Sequence, residues 1–224
     1  MTQPLVFPVG HYIGAFHPSA GAPLSYRKIR VGVDVRRLTT ETEFAVWAMT
    51  HGTPGLVGPS RPWTRAAVRA LAHETELGAD TDAILNSLID NKVVAEVTPG
   101  TAEALEFARG HRVLPLLMGV GNTPTEPLSF GIGFPGLPPV VTVDSFLYEV
   151  WQWGRLGPTL WDTCELFARV DRTRTPEEVL TRILQNLHIL LASNVAYLDA
   201  KLDDPEALTE DELQEVQGGA ESTG

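Results

Sequence analysis

The chain has 224 residues, 43% of them hydrophobic, and a formal net charge of −11. Its length allows one or two domains, and its composition is that of a globular protein rather than a disordered one. The single cysteine, Cys164, excludes an intramolecular disulfide and a thiolate zinc site, which suits a reducing cytoplasm. No apolar run reaches about 18 residues, so we expect no membrane-spanning helix. The first residues also lack the pattern of a signal peptide.

The charge is unevenly distributed along the chain. Residues 199–224 contain nine acidic residues and one lysine, a net charge of −8, so the other residues together carry −3 (−11 minus −8). If the segment near the N-terminus forms alternating strands, its cations face solvent while its valines face the core. Neither the near-neutral body nor the acidic tail has the charge that attracts a nucleic-acid backbone. The most basic segment contains Arg27, Lys28, Arg30, Arg36 and Arg37.

The first half is predicted to begin with strands and to continue with helices. Short apolar runs interrupted by Gly and Pro over residues 1–37 indicate strands and turns. A helix begins after Thr39 or Thr40 as the N-cap and stops at Gly52. A loop rich in Pro and Gly follows, and the second helix covers residues 63–75.

The stretch from Thr81 to Val97 is predicted to form a helix that ends in a short strand. Thr81 is the expected N-cap, while Asn91 and Lys92 close the helix. From Val93 onward, β-branched residues indicate the strand. Three helices with a strand after the third are typical of a winged helix-turn-helix unit, in which this strand is the wing. The apolar stripe at helical spacing consists of Ile84, Leu85, Leu88 and Ile89.

The same outline recurs about one hundred residues later. The pair Val46-Trp47 matches Val150-Trp151 at an offset of 104, and Trp63 matches Trp161 at an offset of 98. Self-similarity at a nearly fixed period indicates an internal duplication. Chance matching of leucine-rich helices is the alternative, but the matched tryptophans favour duplication. At an offset of 102, the matching residues are Leu85, Leu88 and Ile89 with Leu187, Leu190 and Leu191.

The second half contains the other elements of such a repeat. Thr101 caps a helix that Gly110 ends, and a buried extended segment follows it. Residues 119–139 are rich in Gly and Pro and have a hairpin-like alternation. The last helix has a capping box with Thr175 as N-cap and Glu178 at the third position. The helices of this half are predicted over residues 144–153, 158–168 and 176–192.

These elements predict an α+β, mostly helical fold of tandem winged helix-turn-helix units with short strands as wings. The N-terminal strands and the first unit span residues 1–110, and the second unit spans residues 111–200. Residues 201–224 are predicted to be a disordered acidic tail.

Part of this tail resembles the leader of a ribosomally made, post-translationally modified peptide. Such leaders carry an acidic, leucine-containing helix that ends at a double glycine. Together with the unit from Leu38 to Val97, the tail makes the chain resemble winged-helix accessory proteins of lanthipeptide-type pathways. The resemblance implies binding of a leader peptide and its presentation to an enzyme, without catalysis. A solubilising tail is the plainer alternative. The leader-like residues are Leu208, Leu213, Val216, Gly218 and Gly219.

The sequence contains no pattern that requires an enzyme. The six histidines are dispersed, and no serine lies in a Gly-x-Ser-x-Gly elbow. Residues 119–122, GVGN, lack the third glycine of a dinucleotide site and the Gly-Lys-Ser/Thr of a P-loop. We therefore expect no cofactor and no metal site. An enzyme with a site around His111, Arg112 and Asn122 is the least supported alternative.

Recognition of another polypeptide in the cytoplasm is the favoured function. We expect the wing to bind a peptide by strand addition, with the leader-like tail as a pseudo-ligand. The alternative is a DNA-binding transcription regulator with contacts from Arg65, Arg69 and Lys92, although the acidic third helix would repel phosphates. No membrane partner is expected, and a homodimer stays open. The predicted peptide-binding residues are Val93, Val94, Ala95, Glu96, Val97, Leu85 and Ile89.

Overall fold

The computed structural model describes residues 3–77 and 80–202, in which two halves have the same order of elements. Each half contains a strand, a three-stranded sheet, a set of helices and a closing strand. The first half comprises β1 (Leu5–Pro8), β2 (His11–Phe16), β3 (Tyr26–Val31), β4 (Asp34–Leu38), α1 (Glu41–Met49), α2 (Arg65–Glu74), α3 (Thr81–Asp90) and β5 (Val94–Val97). After α4 (Ala102–Gly110), the second half comprises β6 (His111–Pro115), β7 (Met118–Thr123), β8 (Glu126–Gly133), β9 (Val141–Asp144), α5 (Ser145–Trp153), α6 (Leu160–Val170), α7 (Pro176–Asn186), α8 (His188–Ala192) and β10 (Ala196–Ala200).

All strand pairs in these ranges are antiparallel. In the first half, β1 pairs with β5, so that Leu5 lies opposite Val97. In the second half, β6 pairs with β10, so that His111 lies opposite Ala200. The other strands form two meanders, β2-β3-β4 and β7-β8-β9. Each half is therefore closed by pairing between its first and last strands.

The predicted fold class is wrong in its architecture. The fold is α+β, but the residues that the structure describes are 37% helical and 28% strand, with four antiparallel sheets among them, so this part of the chain is not mostly helical. The segment predicted to be a wing is β5, which is paired with β1 inside the fold. Because Leu5, Val6 and Phe7 are all buried, the β1–β5 ribbon is covered on both faces. Burying both faces of this ribbon removes more apolar surface from water than a projecting wing would.

Two hydrophobic clusters lie on opposite faces of the β1–β5 ribbon. Val6 and Val94 belong to the cluster formed with α1, α2 and α3. Leu5, Phe7 and Val97 belong to the cluster formed with α4 and the helices of the second half. A strand of the first half thus contributes to the core of the second.

The junction between the last helix and the closing strand has the same geometry in both halves. Lys92 and Asn194 have left-handed φ angles of 60° and 51°. The next amide, of Val93 or Val195, donates to a carbonyl five residues earlier, at 3.1 Å in both cases. This bond and the left-handed residue form a Schellman-type helix end. The helix closes at Asn91 and Lys92 as predicted, but the left-handed residue is Lys92 and not Asn91, whose φ is −77°. The counterpart of Lys92 in the second half is Asn194.

Most predicted helix starts are confirmed, with small corrections. Thr40 and Thr175 form capping boxes with Glu43 and Glu178. Asp80, rather than Thr81, is the N-cap of α3 and accepts from the amide of Ala83. The helix predicted over 176–192 is divided at Leu187 into α7 and α8. The domain boundaries at residues 110 and 200 stay predictions.

Backbone and side-chain hydrogen bonds join the two halves. The amide of Gly10 donates to the carbonyl of Leu198 at 2.7 Å, and the ring Nε2 of His188 donates to the carbonyl of Val6 at 2.8 Å. The first bond places β10 beside the start of β2, and the second joins α8 to β1. Among the described helices, none combines the length and hydropathy needed to cross a membrane.

Candidate functional site

The predicted peptide-binding wing is part of the core. Val93, Val94, Val97 and Leu85 are at most 4% exposed. Ile89 and Ala95 are half-buried and pack against the core clusters. Glu96 is exposed, but its carboxylate accepts a hydrogen bond of 2.8 Å from Arg65. The side chains expected to contact a peptide are thus already occupied, because the continuous apolar run Val93-Val94 forms a covered strand instead of a wing.

The residues predicted to contact DNA are largely engaged with acidic side chains. Arg65 binds Glu96 and lies 3.6 Å from Asp82, and Arg69 lies 3.1 Å from the same aspartate. The hydrogen bond to Glu96 raises the pKa of Arg65. Lys92 is exposed and terminates α3. The charges of the two arginines are therefore compensated by carboxylates of the same surface, whereas Lys92 has no ion pair among the described residues.

The residues proposed for an enzymatic site lie in separate hydrogen-bonding environments. His111 stacks on Phe107, bonds to its carbonyl at 2.8 Å, and has a pKa lowered mainly by burial. Arg112 lies 3.8 Å from Asp199. Asn122 is exposed in the β7–β8 hairpin and donates to the carbonyl of Pro127. The leader-like residues Leu208, Leu213, Val216, Gly218 and Gly219 lie outside the described residues.

An apolar groove of about 500 Å³ lies between α5, α6 and α7. Phe146, Leu166 and Val179 line it, and Trp153 and Val170 are 44% and 80% exposed beside them. Two cations at its rim are paired with aspartates, Arg174 with Asp171 and Arg182 with Asp144. Glu149 also lines the groove, is exposed, and has no ion pair among the described residues. The groove therefore combines apolar contact with one unpaired carboxylate.

A second cavity of about 410 Å³ lies at the junction of the two halves. Aromatic rings form much of its wall, including those of Tyr12, Trp47 and Tyr197. His51 also lines it, and burial lowers the pKa of this imidazole to about 4, so that the ring is neutral near pH 7. The cavity could accommodate an uncharged planar group.

The outer surface of the β2-β3-β4 sheet combines aromatic and basic side chains, and we call it the basic face. On β3, Ile29 is fully buried, so the alternation of the strand places Tyr26, Lys28 and Arg30 on the opposite, outer side. Cross-strand pairing brings Phe16 beside Tyr26 and Arg37 beside Lys28. The basic face consists of Phe16, Tyr26, Lys28, Val35 and Arg37.

Stacking orders the cations of the basic face. The rings of Phe16 and Tyr26 stack with centroids 4.8 Å apart. The Lys28 ammonium lies 4.9 Å from the centroid of Phe16, and the Arg37 guanidinium lies 4.8 Å from that of Tyr26. Such cation–π contacts contribute about 0.5–1 kcal/mol each at exposed sites. They hold the two cations on a common aromatic support.

Lys28 and Arg37 differ from the neighbouring cations in having no acidic partner. Their neighbours Arg27, Arg30 and Arg36 pair with Glu41, Asp199 and Asp34, respectively. In residues 3–77 and 80–202, no carboxylate lies within ion-pair distance of Lys28 or Arg37. Like charges directly opposite each other on paired strands destabilise a sheet. The sequence indicated that this segment was basic, but not which of its cations were already paired.

The corresponding sheet of the second half provides an internal comparison. Strands β7, β8 and β9 occupy the same position in the element order as β2, β3 and β4. Residues 118–144, which contain them, include no lysine or arginine. The arrangement of strands therefore forms without cations, and Lys28 and Arg37 are not required by the fold.

Chemistry at other sites has little support from the described side chains. Cys164 is fully buried in α6, and burial raises the pKa of its thiol to about 12, which keeps it protonated and unreactive. Across the described ranges, no three His, Cys, Asp or Glu side chains are grouped so that they could hold a metal ion.

Comparisons with protein-family models, with curated proteins and with solved structures gave no match to this chain.

Proposed function

We propose that this protein is a non-catalytic accessory protein that binds an acidic, leucine-containing segment of another polypeptide at the basic face. The observation that carries the proposal is the cross-strand pair Lys28 and Arg37. These two cations are adjacent, and neither has an acidic partner among the residues that the structure describes. Carboxylates placed between them would relieve their mutual repulsion. Each ion pair at such a surface contributes about 0.2–1 kcal/mol and weakens as salt is added.

Apolar side chains at the same face suit leucines of the ligand. Val35 is 47% exposed and lies on the outer side of β4, two residues from Arg37. Phe16, which lies opposite Tyr26, adds an aromatic ring to the same face. An extended segment with alternating acidic and apolar residues would place carboxylates at the cations and leucines at these side chains.

The leader of a ribosomally made peptide has this chemistry. We propose such a leader as the ligand, with binding in the cytoplasm, in keeping with the single unpaired cysteine of the chain. A nucleic acid would also be attracted by stacked rings and cations. The net charge of −11 repels both ligands, but it opposes a nucleic acid more strongly, because every nucleotide carries a phosphate.

The proposal is tested by titrating the full chain with a fluorescently labelled acidic, leucine-containing peptide. The double variant Lys28→Glu/Arg37→Glu should weaken binding at least about tenfold, which corresponds to roughly 1.4 kcal/mol. The matched control is Arg155→Glu/Arg172→Glu, which changes the net charge equally at two exposed residues of the second half. The affinity of the native chain should fall as salt is added.

Absence of peptide binding by the full chain would overturn the proposal, and so would either of two further outcomes. Equal losses in both double variants would mean that only the overall charge matters. Tighter binding of a labelled oligothymidylate than of the peptide, with the same dependence on Lys28 and Arg37, would make the basic face a nucleic-acid site.

A further inference from the structure

We infer that the acidic segment 203–224 of this chain binds the basic face in cis and competes there with the external ligand. The inference rests on the proposed function, because it assigns a second occupant to the same face.

The closing strand of the second half ends against the turn between two basic strands. The amide of Gly32, in the β3–β4 turn, donates to the buried carboxylate of Asp199 at 2.6 Å. A Cβ placed on Gly32 would lie 3.6 Å from that of Ala200 and 3.9 Å from the carbonyl oxygen of Lys201. The chain therefore enters segment 203–224 from the edge of the basic sheet.

The end of β10 also reaches the correct side of that sheet. Arg30 shares the outer side of β3 with Lys28, two residues away. Its guanidinium donates to the hydroxyl of Tyr197 at 2.9 Å and to Asp199 at 3.3 Å. Residues two apart on a strand are roughly 7 Å apart, and an extended chain covers about 3.3–3.6 Å per residue. A few residues beyond Leu202 are enough to reach Lys28.

The charges of the two surfaces are complementary. Segment 203–224 contains eight acidic residues and no lysine or arginine. Lys28 and Arg37 have no acidic partner in the described ranges, and the aromatic rings beneath them keep them in place. Leu208, Leu213 and Val216 give the segment an apolar component that matches Val35 and Phe16 of the basic face. A short covalent connection raises the effective concentration of such a segment to the millimolar range.

Zero-length carbodiimide cross-linking of the full chain tests this contact directly. The chain contains three lysines, Lys28, Lys92 and Lys201. Cross-links between Lys28 and carboxylates of 203–224, identified by mass spectrometry, should exceed those to Lys92 at least about fivefold, given the effective concentration expected of a tethered segment. Lys92 is the matched control because it is exposed on the first half but lies away from the basic face. Cross-links to Lys201 are left out of this comparison, because this lysine is only two positions before the segment in the chain and would react with it in any case.

Competition is tested in a variant of the full chain that carries Glu210→Gln, Asp211→Asn and Glu212→Gln. This variant should bind the labelled acidic peptide at least about fivefold more tightly than the native chain, because the competing segment has lost charge. The control neutralises three exposed acids of the body, by Glu74→Gln, Asp90→Asn and Glu126→Gln, and should bind with unchanged affinity.

The outcomes separate this inference from the proposed function. If neither the native chain nor the neutralised variant binds the peptide, the proposed function fails. If both bind it equally and Lys28 is cross-linked to the peptide but not to segment 203–224, only the cis contact is overturned. Equal cross-linking of the segment to Lys28 and Lys92 would likewise overturn it.

Discussion

Trp151 occupies in the second half the position that Trp47 occupies in the first. The indole N–H of Trp47 donates to the carbonyl of Val93 at 3.1 Å, and that of Trp151 donates to the carbonyl of Val195 at 2.8 Å. The same two carbonyls accept backbone amides from Val9 and Leu116, at 2.9 and 3.0 Å. Each tryptophan thus ties the first helix of its half to the start of the closing strand.

Replacing either tryptophan by phenylalanine should destabilise the protein to a similar extent. Both indoles are nearly buried, and the substitution removes one buried hydrogen bond while retaining most of the ring packing. We expect the free energy of unfolding to fall by about 1–2 kcal/mol for each variant, measured by urea denaturation. Trp153→Phe, at a tryptophan that is 44% exposed, is the control and should change it by less than about 0.5 kcal/mol. If only one of the two variants had a lower free energy of unfolding, the two tryptophans would not be equivalent.

Part of this duplication could be predicted from residue spacing. The match of Trp47 with Trp151 corresponds to a shared contact, whereas the match of Trp63 with Trp161 does not. Trp63 precedes the N-cap of α2 and donates to the carbonyl of Met49, while Trp161 follows the N-cap of α6 and donates to Glu165. Loops of different length separate the helices, so a single offset cannot align both pairs.

The architecture could not be predicted from local patterns alone. Amphipathic spacing and capping residues placed the helices, because these signals act within a few residues. The partner of the strand after α3 is β1, with Val97 opposite Leu5, and no local pattern specifies that pairing. The basic face was partly predictable. Alternation correctly placed Lys28 and Arg37 outward, but the prediction that the valines face the core is wrong for Val35, which is 47% exposed on that outer side. The absence of acidic partners at Lys28 and Arg37 depends on which strands and helices meet.

Asp199→Asn should be among the most destabilising polar substitutions in the described chain. The carboxylate is fully buried, accepts the amide of Gly32, and lies 3.3 Å from Arg30 and 3.8 Å from Arg112. Loss of its charge weakens hydrogen bonds that join the halves, and bonds to charged groups contribute about 1.5–3 kcal/mol. We expect the free energy of unfolding in urea to fall by roughly 2–3 kcal/mol. Asp34→Asn removes an exposed ion pair with Arg36 and should have little effect; comparable losses would contradict this assignment.

Gly10→Ala should destabilise the protein through both backbone strain and close packing. Gly10 has a φ of 92°, and an added Cβ would lie 2.6 Å from the carbonyl oxygen of Arg30. Gly21→Ala separates the two effects, because its φ is 75° and no atom lies within 4 Å of the added Cβ. A left-handed backbone costs about 1–2 kcal/mol and overpacking about 1–3 kcal/mol more. Thermal and urea unfolding should therefore show a clearly larger loss for Gly10→Ala, and equal losses would exclude the steric contribution.

His188 should make the stability of the protein fall as the pH is lowered below about 6.5. The ring is buried, stacks on Phe7 with centroids 4.6 Å apart, and has its pKa lowered to about 4 by burial. Above pH 6.5 the ring is neutral in both the folded and the unfolded chain, so it contributes no pH dependence there. Between pH 6.5 and 4 only the unfolded chain takes up the proton, which lowers the free energy of unfolding by up to about 1.4 kcal/mol per pH unit. The free energy of unfolding, measured by urea denaturation at several pH values in this range, should depend less on pH in His188→Gln than in the native chain. Glutamine is chosen because its amide can still donate to the carbonyl of Val6. An unchanged pH dependence of the free energy of unfolding in His188→Gln would contradict the prediction.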